Sequence, residues 1–159
     1  MKITTIDLEF QGEKKAIAAY LVEHYGEVAL IETGPHSTLS VLEKKLSKLG
    51  YALADIGHVF LTHIHLDHAG AAWVFAKNGA KIYVHPAGKR HLAEPSKLMN
   101  SAKMIYRDEM DSLWGQMEAI DEGQIFTPAH GETVEIGILK ITAWHTPGHA
   151  VHHIARRST

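Results

Sequence analysis

Four potential metal donors fall within six residues in the stretch Thr62-His63-Ile64-His65-Leu66-Asp67-His68-Ala69-Gly70. An extended His-x-His puts both imidazoles on one side of the backbone, because side chains alternate along a strand. Asp67 and His68 then turn into a helix start and aim at a neighbouring point. The spacing suits two adjacent ions better than one, since a single tetrahedral site needs only three protein donors plus water. Residues 58–62 form an apolar run fit for a buried strand, and residues 69–77 form an Ala-rich helical run that Asn78-Gly79 stops. Chemistry at the carboxyl end of a strand, just before a helix, belongs to parallel α/β sheets. Four donors bounded by Ile64 and Leu66 favour a metal site over a solvated polar loop.

The rest of the chain supplies a frame for that loop. Residues 3–10, 16–23 and 28–32 read as a strand meander with turns at Gln11-Gly12 and Tyr25-Gly26. Residues 37–49 switch to a helical period, with Leu39, Leu42, Leu46 and Leu49 on one face, Ser37 at the start and Gly50 at the end. Residues 81–85 form a second buried strand, so the βαβ alternation predicts a parallel element within a mixed sheet. Residues 87–122 read as helix and loop, anchored by Leu98, Met104, Ile105, Leu113 and Trp114. The Met and aromatic residues of this segment read as core packing rather than a substrate wall. Residues 133–136 and 139–145 resemble a hairpin, Thr146-Pro147-Gly148 a tight turn, and residues 151–155 a last strand.

Composition narrows the partners. Lys and Arg number 16 against 18 Asp and Glu, a formal charge of −2, which offers no attraction to nucleic acid or an anionic membrane. With no cysteine, disulfides and thiolate ligands are excluded. No apolar run approaches the ~20 residues of a membrane span, and the N-terminus lacks a signal-like apolar region. A cytoplasmic protein with a small-molecule substrate is the expectation. The excess lies in histidine, at 13 of 159 residues.

His63-x-His65-x-Asp67-His68, followed by Gly70, resembles the signature of the metallo-β-lactamase superfamily. Glu32-Thr33-Gly34 stands where that family carries a strand-end Asp-x-Gly. Thr146-Pro147-Gly148-His149 resembles its Thr-Pro-Gly-His, in matching order. The resemblance implies an α/β fold of the αββα sandwich type, a mixed β-sheet with flanking helices, and a hydrolytic reaction, usually at two zinc ions. It implies that His63, His65 and His149 hold a first metal, and that Asp67 and His68 contribute to a second, with Asp67 also orienting the nucleophile. Imidazole and carboxylate suit Zn²⁺, with Fe or Mn as substitutes. Such a three-histidine site lowers the pKa of bound water to ~7.

The family continues with a second half that adds an aspartate bridging the two metals and a late histidine; no aspartate follows His149 here. Residues 1–159 therefore read as a single domain holding the front portion of the sandwich. One sheet face would then lack cover, and self-association into a homo-oligomer is expected. Glu32 is a candidate partner for a ligand histidine. His85 could face the cleft. His36, His152 and His153 read as helix-start or packing residues, and His24, His58, His91, His130 and His145 as surface or structural ones. The leading function is a metal-dependent hydrolase acting on a small ester, thioester, lactone or amide. The alternative is a catalytically incomplete half-domain that binds metal or a partner without turnover. Nucleases of the family share the motif, but only Arg156-Arg157 is locally basic. His65 argues against the flavodiiron branch, which usually carries glutamate there.

Overall fold

The structure, a computed structural model, describes residues 1–159. Strands β1 (Lys2–Asp7), β2 (Ala18–His24) and β3 (Glu27–Ile31) form the antiparallel meander. Tyr25 and Gly26, both at positive φ, make the two-residue turn between β2 and β3. Helix α1 (Leu39–Lys48) buries Leu42 and Leu46 and leads to β4 (His58–Phe60), which pairs parallel to β3. Helices α2 (Leu66–Ala69) and α3 (Ala72–Lys77) complete the crossover to β5 (Lys81–Tyr83), parallel to β4. Helices α4 (Lys89–Ala93), α5 (Ser96–Tyr106) and α6 (Met110–Leu113) precede the short β6 (Ile125–Phe126), parallel to β5. These six strands form one mixed sheet in sequence order. Strands β7 (Thr133–Ile136), β8 (Leu139–His145) and β9 (Ile154–Ser158) form a second, antiparallel sheet.

Period-two alternation sends successive side chains of the first sheet into two cores. Leu21, Leu30, Val59, Leu61, Ile82 and Val84 pack against the helices, with Leu42, Leu46 and Phe75 opposite them. Val22, Ala29, Phe60 and Tyr83 face the other way and pack on Ile136, Leu139 and Ile141 of the second sheet. The expectation of an uncovered apolar sheet face is thereby corrected: β7 and β8 cover it. The outward positions of the second sheet are Thr133, Glu135, Lys140, Thr142, Trp144 and Arg157, and of these only Trp144 is strongly apolar. The motive for self-association through an apolar face is removed with it.

Arg156 points inward between the sheets. Its Nη2 donates to the carbonyls of Leu61 (3.0 Å) and Tyr83 (3.1 Å), and its guanidinium lies 5.4 Å from the Phe60 ring. Burial lowers its pKa to about 10, still charged at neutral pH. Arg156, in a short polar tail, is thus a strut between the two sheets.

Three other expectations change. The run 69–77 is two helices, because the Ala71 N–H donates to Gly34 O (3.0 Å) instead of continuing the first. Gly70 sits at this break, where an added Cβ would lie 2.9 Å from Pro35 Cα. The last strand starts at Ile154 rather than 151, because Thr146 N–H donates to His153 O and holds residues 147–153 as a closed loop. Met104 and Ile105 are 74% and 72% exposed, so they are not anchors; α5 turns Ala102 inward instead.

Phe60 is fully buried and stacks on Tyr83 with ring centroids 4.3 Å apart. Phe60→Ala should cost about 3–5 kcal/mol, read as a lower urea midpoint at unchanged slope.

Candidate metal centre

The metal loop begins where β4 runs out. The Thr62 N–H donates to Glu32 Oε1 (3.0 Å), which is fixed in turn at the end of β3. Thr62 Oγ1 lies 2.9 Å from His63 Nδ1, and this fixes the imidazole so that Nε2 faces the cluster. The loop is then clamped to residues 33–34. Thr33 N–H (2.9 Å), Gly34 N–H (3.2 Å) and Thr33 Oγ1 (3.0 Å) all donate to the His68 carbonyl. His149 comes from the second sheet. Ile154 N–H donates to Thr62 O (2.8 Å), and Thr146 Oγ1 meets His153 Nδ1 at 2.8 Å, so the 146–153 loop closes directly over the histidines.

The result is a convergence of His63, His65 and His149, with donor atoms all within 4.8 Å of one another. His63 Nε2 and His149 Nε2 lie 3.1 Å and 3.2 Å from His65 Nδ1. Tetrahedral zinc at 2.0–2.1 Å from each nitrogen would separate its ligands by about 3.3 Å, so the donor set fits. Burial, helped by the neighbouring histidines, drives the His63 pKa down to about 3, and burial also lowers His65. Both rings are neutral at pH 7, the form that binds a cation.

Asp67 and His68 sit beside this trio but face each other. His68 Nε2 lies 3.2 Å from Asp67 Oδ2, and His68 Nδ1 lies 3.4 Å from Glu32 Oε2. Burial opposes charge on His68, yet hydrogen bonding to Asp67 and Glu32, and the charge of both, raise its pKa to about 10. Burial likewise opposes the Asp67 carboxylate, and the bond to His68 outweighs it, leaving the pKa lowered. With both ring nitrogens against carboxylates, His68 is a cation here. A second metal at this position would have to displace its proton.

A profile of the metallo-β-lactamase superfamily matches residues 13–159. The chain belongs to the metallo-β-lactamase superfamily. It is 28% identical over 153 residues to the probable metallo-hydrolase YqjP of Bacillus subtilis (strain 168), covering 87% of this chain and 47% of that protein. It is 27% identical over 107 residues to the metallo-beta-lactamase fold-containing protein ST1585 of Sulfurisphaera tokodaii, covering 65% of this chain and 41% of that one. The subclass B3 metallo-beta-lactamase BJP-1 of Bradyrhizobium japonicum superimposes with a TM-score of 0.74 at 23% identity, over 99% of this chain and 53% of that structure. The chain thus spans about half the length of these relatives, and its mixed sheet with helices matches their α/β sandwich.

Within this metallo-β-lactamase frame the other histidines fall away from the cluster or support it. His85 accepts from the Ala87 N–H and packs on His145 at 4.3 Å, outside the trio. His36 accepts from the Gln116 N–H and lies 5.1 Å from Trp73, a tie between loops. His152 is edge-on to His65 at 5.8 Å, and His153 lines the cavity with His149. Thr62 was not anticipated as the support of His63, although its position just before the first histidine is the signal. No helix is long and apolar enough to cross a membrane.

These shifts set the pH response of the metal-free protein. Unfolded, His63 and His65 take up protons near pH 6.5; folded, His63 resists until about 3, so stability should fall as pH drops below 6.5. His68 acts oppositely: its contribution is full below pH 6.5 and is lost as pH rises toward 10. Urea unfolding in EDTA from pH 4 to 10 should show both limbs, and His68→Gln should flatten only the alkaline one.

Proposed function

We propose that this chain carries the metal-binding portion of a metal-dependent hydrolase for a small, neutral ester, thioester, lactone or amide. The convergence of His63 Nε2, His65 Nδ1 and His149 Nε2 supports this reading most directly. Membership of a superfamily of largely metallo-hydrolases supports the reaction class. When bound, zinc supplies Lewis acidity and a hydroxide from water near neutral pH. Fe or Mn would suit the same donors.

The chain's own residues prepare that chemistry. His63 and His65 offer lone pairs because burial keeps them neutral. Thr62 and Glu32 hold the rings so that little ordering remains at the moment of binding. Asp67 stays ionised and lines the same cavity as His63 and His149, where it can orient an attacking water. No Lys or Arg lines that cavity of about 490 Å³, and the inward Arg156, whose Nη2 bonds two backbone carbonyls, is not among its lining residues. A phosphodiester substrate would find there only the His68 cation, already paired with Asp67 and Glu32, which favours a neutral one.

A second reading, metal binding without turnover, has one observation behind it. Asp67 and His68 neutralise each other instead of opening a second ligand set. The two readings separate in one experiment. Zinc-loaded protein should hydrolyse p-nitrophenyl acetate or a small thioester, lose the activity in chelator and regain it with zinc. His65→Ala should abolish stoichiometric zinc by mass spectrometry, and Thr62→Val should weaken zinc affinity by about 10–100-fold. Stoichiometric zinc without hydrolysis of any ester, thioester or lactone would favour the second reading.

A further inference from the structure

A second cavity, of about 330 Å³, opens beside the histidines, and His65, Leu66 and Asp67 form its inner wall. Asp67 lines both this cavity and the one that holds His63 and His149, so the two meet at the site. The outer wall is one face of α5. Leu98, Ser101, Ala102, Ile105 and Tyr106 recur at intervals of three and four, the spacing of a single helix face. Trp114 closes the remaining side, its ring 5.2 Å from that of Tyr106. Besides the Asp67 carboxylate, every lining side chain is uncharged, the His65 imidazole included, and Ser101 is the one aliphatic hydroxyl among them.

Ile105 is 72% exposed although it lies on this apolar face. An isolated exposed isoleucine needs no explanation. An exposed isoleucine at the mouth of an apolar cavity next to three convergent imidazoles has one: a ligand's apolar group would cover it. The volume is at the lower end of the ~300–1,000 Å³ typical of small-ligand sites. That suits a single alkyl chain rather than a whole large ligand.

We propose that this cavity takes the alkyl chain of a medium-length acyl group whose carbonyl lies at the His63–His65–His149 site. The proposal rests on the hydrolase reading above and adds the substrate class: neutral acyl esters or thioesters rather than substrates with an anionic tail. An ionised tail would enter a cavity whose only ionised wall group is the Asp67 carboxylate, with no Lys or Arg to pair it.

Straight-chain acyl hydroxamates test it, because the hydroxamate head binds zinc whatever the tail. Titration calorimetry on zinc-loaded protein should show affinity rising about four-fold per methylene from acetohydroxamate upward, levelling once the cavity is full. A hydroxamate of equal length ending in a carboxylate should bind more weakly than the alkyl one. Ile105→Asp, at an exposed position that the fold tolerates, should flatten the series. Met104→Ser, equally exposed but outside the cavity, should leave it unchanged. A flat series with zinc-dependent acetohydroxamate binding overturns the acyl cavity alone. A series that rises equally in Ile105→Asp overturns the location. Acetohydroxamate that fails to bind zinc-loaded protein overturns the hydrolase reading, and the acyl cavity with it.

Discussion

Glu32 is a buried carboxylate at the end of β3, held at φ 63, in the left-handed region that a glutamate seldom occupies. Such a backbone costs of order 1 kcal/mol or more and persists only where the surroundings over-determine it. Here they do. One carboxylate oxygen takes the Thr62 N–H and the other faces His68, while the backbone N–H bonds to Phe60 O (3.0 Å). The same turn delivers Thr33 and Gly34 to the His68 carbonyl. The strand-end turn and the histidine loop therefore fix each other. The His63 and His68 orientations descend from this junction, because Thr62 orients His63 and Glu32 confronts His68.

The electrostatic division of the loop follows from the same packing. His63 and His65 face other imidazoles and lose water, so they stay neutral. His68, one turn of chain away, faces two carboxylates and is driven the other way. Of three neighbouring histidines in one motif, two are thus neutral and one charged at the same pH. A pattern of residue types cannot express this, since the difference lies in what each ring meets across the fold.

The loop and its flanking strand and helix were legible because their information is local. The His-x-His alternation, the apolar run before it and the alanines after it all lie within twenty residues. His149 was legible only through its resemblance to a family turn, since nothing nearby in sequence says that it crosses to His65. The period-two pattern of β7 and β8 marked their apolar faces, but not that these would cover Phe60 and Tyr83. Arg156 was opaque for a stronger reason. An arginine in a short polar tail gives no sign that two backbone carbonyls of another sheet await it. The helical spacing of Leu98, Ala102, Ile105 and Tyr106 was present in the sequence, but a stripe reads as core until its opposing surface is known.

The split origin of the histidines has a kinetic side. His63 and His65 come into register as soon as β4 and its loop form, whereas His149 is 84 residues from His65 and arrives only when the second sheet docks. Closing a loop of that length costs about 4 kcal/mol of chain entropy beyond the constant of closure. A folding chain therefore passes from a two-nitrogen chelate of low affinity to a three-nitrogen one in a single late event. An ion held by His63, His65 and His149 would tie the two sheets together and would slow their separation. Loaded, the centre would act as a clasp on the sandwich, and the lifetime of the closed fold would be coupled to how long the ion stays.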